Sequence, residues 1–156
     1  MLRIILELIN FSIKTVLFLL FISTCAVQAQ EQISTGYFNN KAVSGFDVVA
    51  YFTVHKPLKG SSDFIFEYKG ADWYFSSREN LRKFKNAPEN YAPQYGGYCT
   101  WAMSQNKIAP GDPSMWLVYK NKLYLTYAQS GLDKLLADKD RVIRLADINW
   151  LKIEKQ

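Results

Sequence analysis

The residues best suited to chemistry in this sequence are Cys99 and Met103, four positions apart in Tyr98-Cys99-Thr100-Trp101-Ala102-Met103-Ser104. If that stretch is helical, positions i and i+4 share a face. A thiolate and a thioether are soft donors, suited to Cu(I) rather than to Mg²⁺ or Ca²⁺. His55, the chain's single histidine, and Met115 are the further soft or borderline donors, and His55 would assist the pair. A closed zinc site is excluded, because four strong Cys or His ligands are not available. The competing use is plain packing, since a free cysteine behaves as a small hydrophobe. A nucleophilic Cys99 is a third reading. It would need a base or a positive environment, and N–H groups at a helix start after Gly96-Gly97 could supply part of one. His55 sits in the loop-like HKPLKGSS stretch, and nothing in the sequence brings it to Cys99. The chain therefore reads as a binder before a catalyst.

A second set of residues supports a different ligand. Tyr51, Tyr95, Tyr98 and Trp101 could line a pocket for a flat or apolar molecule, with Gly96 and Gly97 offering backbone N–H groups to an anion. Their simpler use is the core of a small domain, with the glycine pair as a turn that needs positive φ. Asp47 stands in an otherwise apolar run. It can cap a turn, reach Tyr95 or meet a metal, and the cap is the favoured reading. The alternative to a soft-metal carrier is thus a non-metal binding module for a small organic or anionic ligand.

The first 29 of the 156 residues read as a secretory signal peptide. Arg3 and Lys14 precede the apolar run Val16 to Ile22, and Val27-Gln28-Ala29 places small residues before a cut at Gln30. The run is short for a membrane span. The expected location is the bacterial periplasm. A less favoured alternative is a lipoprotein anchored at Cys25, because Ile22-Ser23-Thr24-Cys25 resembles a lipobox with Thr24 a poor fit. Removing the leader also removes Cys25 and leaves Cys99 without an intramolecular partner. Such a domain must stand on its hydrophobic core. The formal net charge is +5, from 19 Lys plus Arg against 14 Asp plus Glu. The charges are interspersed rather than striped, so no nucleic-acid partner is expected.

Residues 30–44 read as a leader into a domain spanning 45–156. Phe46 to Phe52 is β-branched and aromatic and reads as a strand or strand entry. Asp63 to Tyr68 alternates with Phe64, Phe66 and Tyr68 on one face, and Trp73-Tyr74-Phe75 returns after Lys69 to Asp72, which predicts a hairpin. Ser76 with Glu79 forms a candidate capping box for a helix carrying Leu81 and Phe84. The helix must stop before Pro88, and Pro88 to Tyr91 reads as one helical turn. Trp116 to Tyr119 and Leu123 to Tyr127 predict a second hairpin. Helices carrying Leu132, Leu135 and Leu136, then Val142, Ala146 and Trp150, close the chain. The expectation is one α+β domain, in which two hairpins form a small antiparallel sheet against short helices.

This order resembles the YHS domain family. The residues that carry the resemblance are Gly45 to Phe52, Tyr74-Phe75-Ser76-Ser77 with Asn80 and Phe84, and Pro88-Glu89-Asn90-Tyr91-Ala92-Pro93-Gln94-Tyr95-Gly96-Gly97-Tyr98-Cys99. Lys122 to Leu125 and Ala146-Asp147-x-Asn149-Trp150 extend it. Val48 departs from a Pro found in many relatives. The resemblance implies an exported, stand-alone bacterial version of the domain and an association with metal. Related metal-linked domains use several cysteines, whereas this chain offers Cys99 alone.

Overall fold

The computed structural model describes residues 33–153; the expected signal peptide and Cys25 lie outside them. Helix α1 spans Ala50–Thr53, strands β1 and β2 span Ser61–Tyr68 and Ala71–Phe75, and helix α2 spans Arg78–Asn86. Helix α3 (Thr100–Ser104) is followed by β3 (Asp112–Tyr119) and β4 (Lys122–Thr126), and then by α4 (Gln129–Ala137) and α5 (Lys139–Ile153). The expected α+β architecture is present. The hairpins stand as two two-stranded antiparallel sheets rather than one. A single parallel bridge between Cys99 and Leu125 ties the middle of the chain to the second sheet.

Both hairpins turn through two residues with positive φ: Lys69 and Gly70 at 51° and 72°, Lys120 and Asn121 at 49° and 57°. That pair of conformations matches the right-handed twist of flanking strands. Phe64, Phe66 and Tyr68 share a half-buried face of β1, as their alternation predicts. Phe84 on α2 is fully buried among the rings of Trp73, Phe75, Phe66 and Tyr68. A second cluster gathers Tyr95, Met103, Tyr124, Leu135, Val142, Ala146 and Trp150 between α3, β4, α4 and α5. Trp150 closes over it, as its place in the terminal helix suggested.

Two further sequence expectations are overturned, and Asp47 explains both. Phe46 to Phe52 is not a strand. Phe46 makes one isolated bridge to Lys59, and the chain then winds into α1. The Asp47 carboxylate accepts the Val49 N–H at 2.9 Å, a local turn that competes with extended pairing. Its other oxygen accepts the Ser76 N–H at 2.8 Å and the Ser76 hydroxyl at 2.6 Å. Ser76 is therefore not the cap of α2. Ser77 is, accepting the Asn80 N–H at 3.1 Å, and Glu79 pairs with Lys83 instead. The Asn80 amide, one turn into the helix, donates to Asp47 at 2.7 Å. Asp47 thus fastens the turn before α1 to the start of α2, which is the capping role favoured from sequence.

Candidate functional site

The segment after α2 builds the site. Pro88–Asn90 forms the expected single helical turn, here of 3-10 type, and Gln94–Gly97 forms a tight, non-helical turn. Tyr95, Gly96 and Gly97 all take positive φ, at 56°, 60° and 87°. A tyrosine in this left-handed region costs on the order of 1 kcal/mol. Its side chain offsets that cost. The Tyr95 ring packs 6.1 Å from both Tyr124 and Trp150, and its hydroxyl donates to Asp147 at 2.8 Å. The Gly97 carbonyl accepts the Gly111 N–H at 3.1 Å. A Cβ on Gly111 would lie 2.5 Å from that carbonyl oxygen, so only glycine permits the approach.

This strained turn forms one wall of a groove of about 390 Å³. Ala92, Pro93, Gln94, Tyr95 and Gly96 line that wall, with Trp150, Leu151 and Asp147 from α5 opposite. Tyr68, Lys69 and Glu89 enter from the first hairpin and the Pro-Glu turn, Lys122 from β4, and Ile33 from the leader. The Ser34 N–H donates to the Gly96 carbonyl at 2.8 Å, which holds the leader against the groove. Glu89 accepts the Tyr68 hydroxyl and pairs with Lys69 at 3.1 Å. The Tyr68 hydrogen bond, and then the Lys69 contact, hold the Glu89 carboxyl below its usual range despite partial burial.

Of the residues singled out from sequence, Tyr95 and Gly96 meet in the groove. Tyr98 stacks near Trp150 at 6.3 Å, and Gly97 lies buried behind the turn. Trp101 sits under Lys134, whose ammonium is 4.8 Å from the ring, and Tyr51 donates to the Pro113 carbonyl at 2.8 Å. Asp47 belongs to its own knot. Cys99 and Met103 are 3 % and 0 % exposed. Cys99 caps α3, its Sγ accepting the Ala102 N–H at 3.4 Å, while the Met103 N–H donates to the Cys99 carbonyl at 2.9 Å. His55 is exposed in its loop with a φ of 52°. Among the described residues, no group of three or more His, Cys, Asp or Glu is placed to hold a metal ion. Thr100 Oγ1, next to Cys99, is buried and has no hydrogen-bond partner among the described residues.

The sequence reading missed Tyr68, Lys69, Glu89, Lys122 and Asp147 as lining residues. Glu89 and Asp147 stood in plain view in the Pro-Glu turn and in the Ala146-Asp147-x-Asn149-Trp150 tail. Asn149 in that tail has a clear structural task, its amide donating to the Met103 and Ser104 carbonyls at 3.0 and 3.3 Å. It thereby satisfies the end of the short α3, whose last carbonyls have no partner within the helix.

Four buried or half-buried phenols give one pH prediction. Desolvation raises the pKa values of Tyr51, Tyr95, Tyr68 and Tyr124. Tyr68 and Tyr124 are pushed up to about 12 from an ordinary 10.0, with the Glu89 hydrogen bond and the Asp147 charge, respectively, as the next causes. The unfolded chain therefore sheds these protons first. The stabilisation is complete below about pH 10 and is lost as the pH rises through about 12. Urea midpoints should be flat from pH 8 to 9.5 and fall steeply above pH 10. A midpoint unchanged at pH 11.5 would contradict the raised pKa values of these hydroxyls.

Together these features define a small α+β domain with a buried carboxylate knot and an open groove of aromatic and paired-charge lining. Residues 49–95 match the family model of the YHS domain, in agreement with the resemblance read from the sequence. The match takes in α1, the first hairpin, α2 and the groove wall up to Tyr95, and stops before Cys99. The family's association with metal fits a metal-binding reading at the level of the family. No curated protein and no solved structure matches the chain.

Proposed function

We propose that this chain is an exported small binding protein of the YHS type, and that its ligand occupies the groove between Tyr95-Gly96 and Trp150. One observation carries the reading: a concave space of about 390 Å³ is walled by a strained aromatic turn and by charged side chains from four separate parts of the chain. Concave, partly apolar sites with a few convergent polar groups are where small ligands bind. Strain is kept where the surroundings over-determine it, commonly at ligand sites. Export rests on the N-terminal sequence alone. The test is a screen of small aromatic compounds by protein-observed NMR, run against the natural protein and Gln94→Trp, which fills the groove from its rim. Shifts at the Gly96 amide and the Trp150 indole that vanish in Gln94→Trp are expected. Binding indifferent to that plug would remove the groove.

A second reading keeps the soft-metal site at Cys99 and Met103, with copper first and His55 assisting. The one-turn spacing of the two sulfur-bearing residues supports it, with the Met103 N–H donating to the Cys99 carbonyl at 2.9 Å. Both sulfur-bearing residues are buried and His55 is exposed, so loading would require local opening. Cu(I) uptake at one equivalent, lost in Cys99→Ser and kept in Gln94→Trp, would select this reading.

A further inference from the structure

We infer that the groove takes a zwitterion with a flat apolar body, the charge pattern of an aromatic amino acid; this rests on the groove being the ligand site. Lys69 and Lys122 supply two cations to its lining, and Glu89 and Asp147 supply two carboxylates. A wholly anionic guest would meet both carboxylates, and a wholly cationic one would meet both ammonium groups.

The internal bonding then picks out which charges face a guest. Glu89 is engaged by the Tyr68 hydroxyl and by Lys69. Asp147 accepts the Tyr95 hydroxyl at one oxygen, and its second oxygen accepts nothing from the described residues. Lys122 lines the groove and makes no ion pair with any described residue, Asp147 included. Among the described residues, then, the groove holds one ammonium without an ion pair and one half-committed carboxylate that do not neutralise each other. A guest carboxylate at Lys122 and a guest ammonium at Asp147 satisfy both at once. Its apolar body lies against Ala92, Pro93 and the small accessible parts of Tyr95 and Trp150, which are 5 % and 9 % exposed.

Three probes that share a phenyl ring and differ in charge test this: phenylalanine, 3-phenylpropionate and phenethylamine. Each is titrated into the purified protein while the Gly96 amide and Trp150 indole signals are followed. Phenylalanine should bind at least about tenfold tighter than either singly charged probe, roughly 1.4 kcal/mol of discrimination. Lys122→Gln should bring phenylalanine down to the level of phenethylamine. Asp147→Asn, which keeps an acceptor for Tyr95, should bring it down to that of 3-phenylpropionate. Equal binding of a singly charged probe, or no response to any of the three, would overturn the zwitterion. Failure of the groove itself would show separately, as a bound compound that Gln94→Trp does not displace.

Discussion

Asp47→Ala should lower the free energy of unfolding by about 3 kcal/mol, since several hydrogen bonds to one charged group, each worth about 1.5–3 kcal/mol, are lost together. Asp47 is fully buried, and its two oxygens accept from the Val49 N–H, the Ser76 N–H, the Ser76 hydroxyl and the Asn80 amide. Truncation removes the acceptor of four donors, the Val49 N–H buried and the other three half-buried, each of which had exchanged water for a bond to the carboxylate. Asp47→Asn is the sharper variant because it preserves shape. Its Oδ1 can still accept from Val49. Its amide group would face the Ser76 N–H and the Asn80 amide, donor against donor. A loss of more than about 2 kcal/mol is therefore expected for Asn as well. Urea unfolding of both variants decides the matter, and a loss below about 1 kcal/mol for Asp47→Ala would mean the knot is not structural.

Phe84→Ala should cost about 3–5 kcal/mol, as large aromatic truncations in a packed core do. Phe84 is fully buried, with its ring 5.0 Å from Trp73, 5.1 Å from Phe75, 5.7 Å from Tyr68 and 6.4 Å from Phe66. It is the one side chain of α2 that enters the first core completely. Its loss would leave a cavity that the paired strands can close only partly. Leu81→Ala, on the same face but half-buried, should cost clearly less. Similar losses for the two variants would contradict the packing of α2 on the first hairpin.

Much of this fold was legible because its signals are local. The alternation of Phe64, Phe66 and Tyr68, the spacing of Leu81 and Phe84, and the stop before Pro88 need only a few consecutive residues. What failed was decided by distant partners. Ser76 and Ser77 are equivalent in sequence, and only the bond from Ser76 to Asp47, twenty-nine positions away, gives the cap to Ser77. The same carboxylate turns an apparent strand at Phe46 to Phe52 into a helical turn. The candidate site was half legible. Tyr95 and Gly96 announced themselves through the aromatic and glycine run. A tyrosine in the left-handed region does not, because residue type argues against it. Lys122 read as hairpin-turn chemistry, and only the packing of α5 against the Tyr95 turn shows that it shares a groove with Asp147 and Trp150. Cys99 and Met103 do lie one helical turn apart, as their spacing suggested, yet both are buried.

The most direct test of the groove as ligand site is native mass spectrometry of the protein purified from the exported fraction under non-reducing conditions, alongside Gln94→Trp and Cys99→Ser. The expected result is a co-purifying organic mass that disappears in Gln94→Trp and persists in Cys99→Ser. A bound copper ion that disappears in Cys99→Ser and persists in Gln94→Trp would contradict it, and would move the site to the buried sulfur pair.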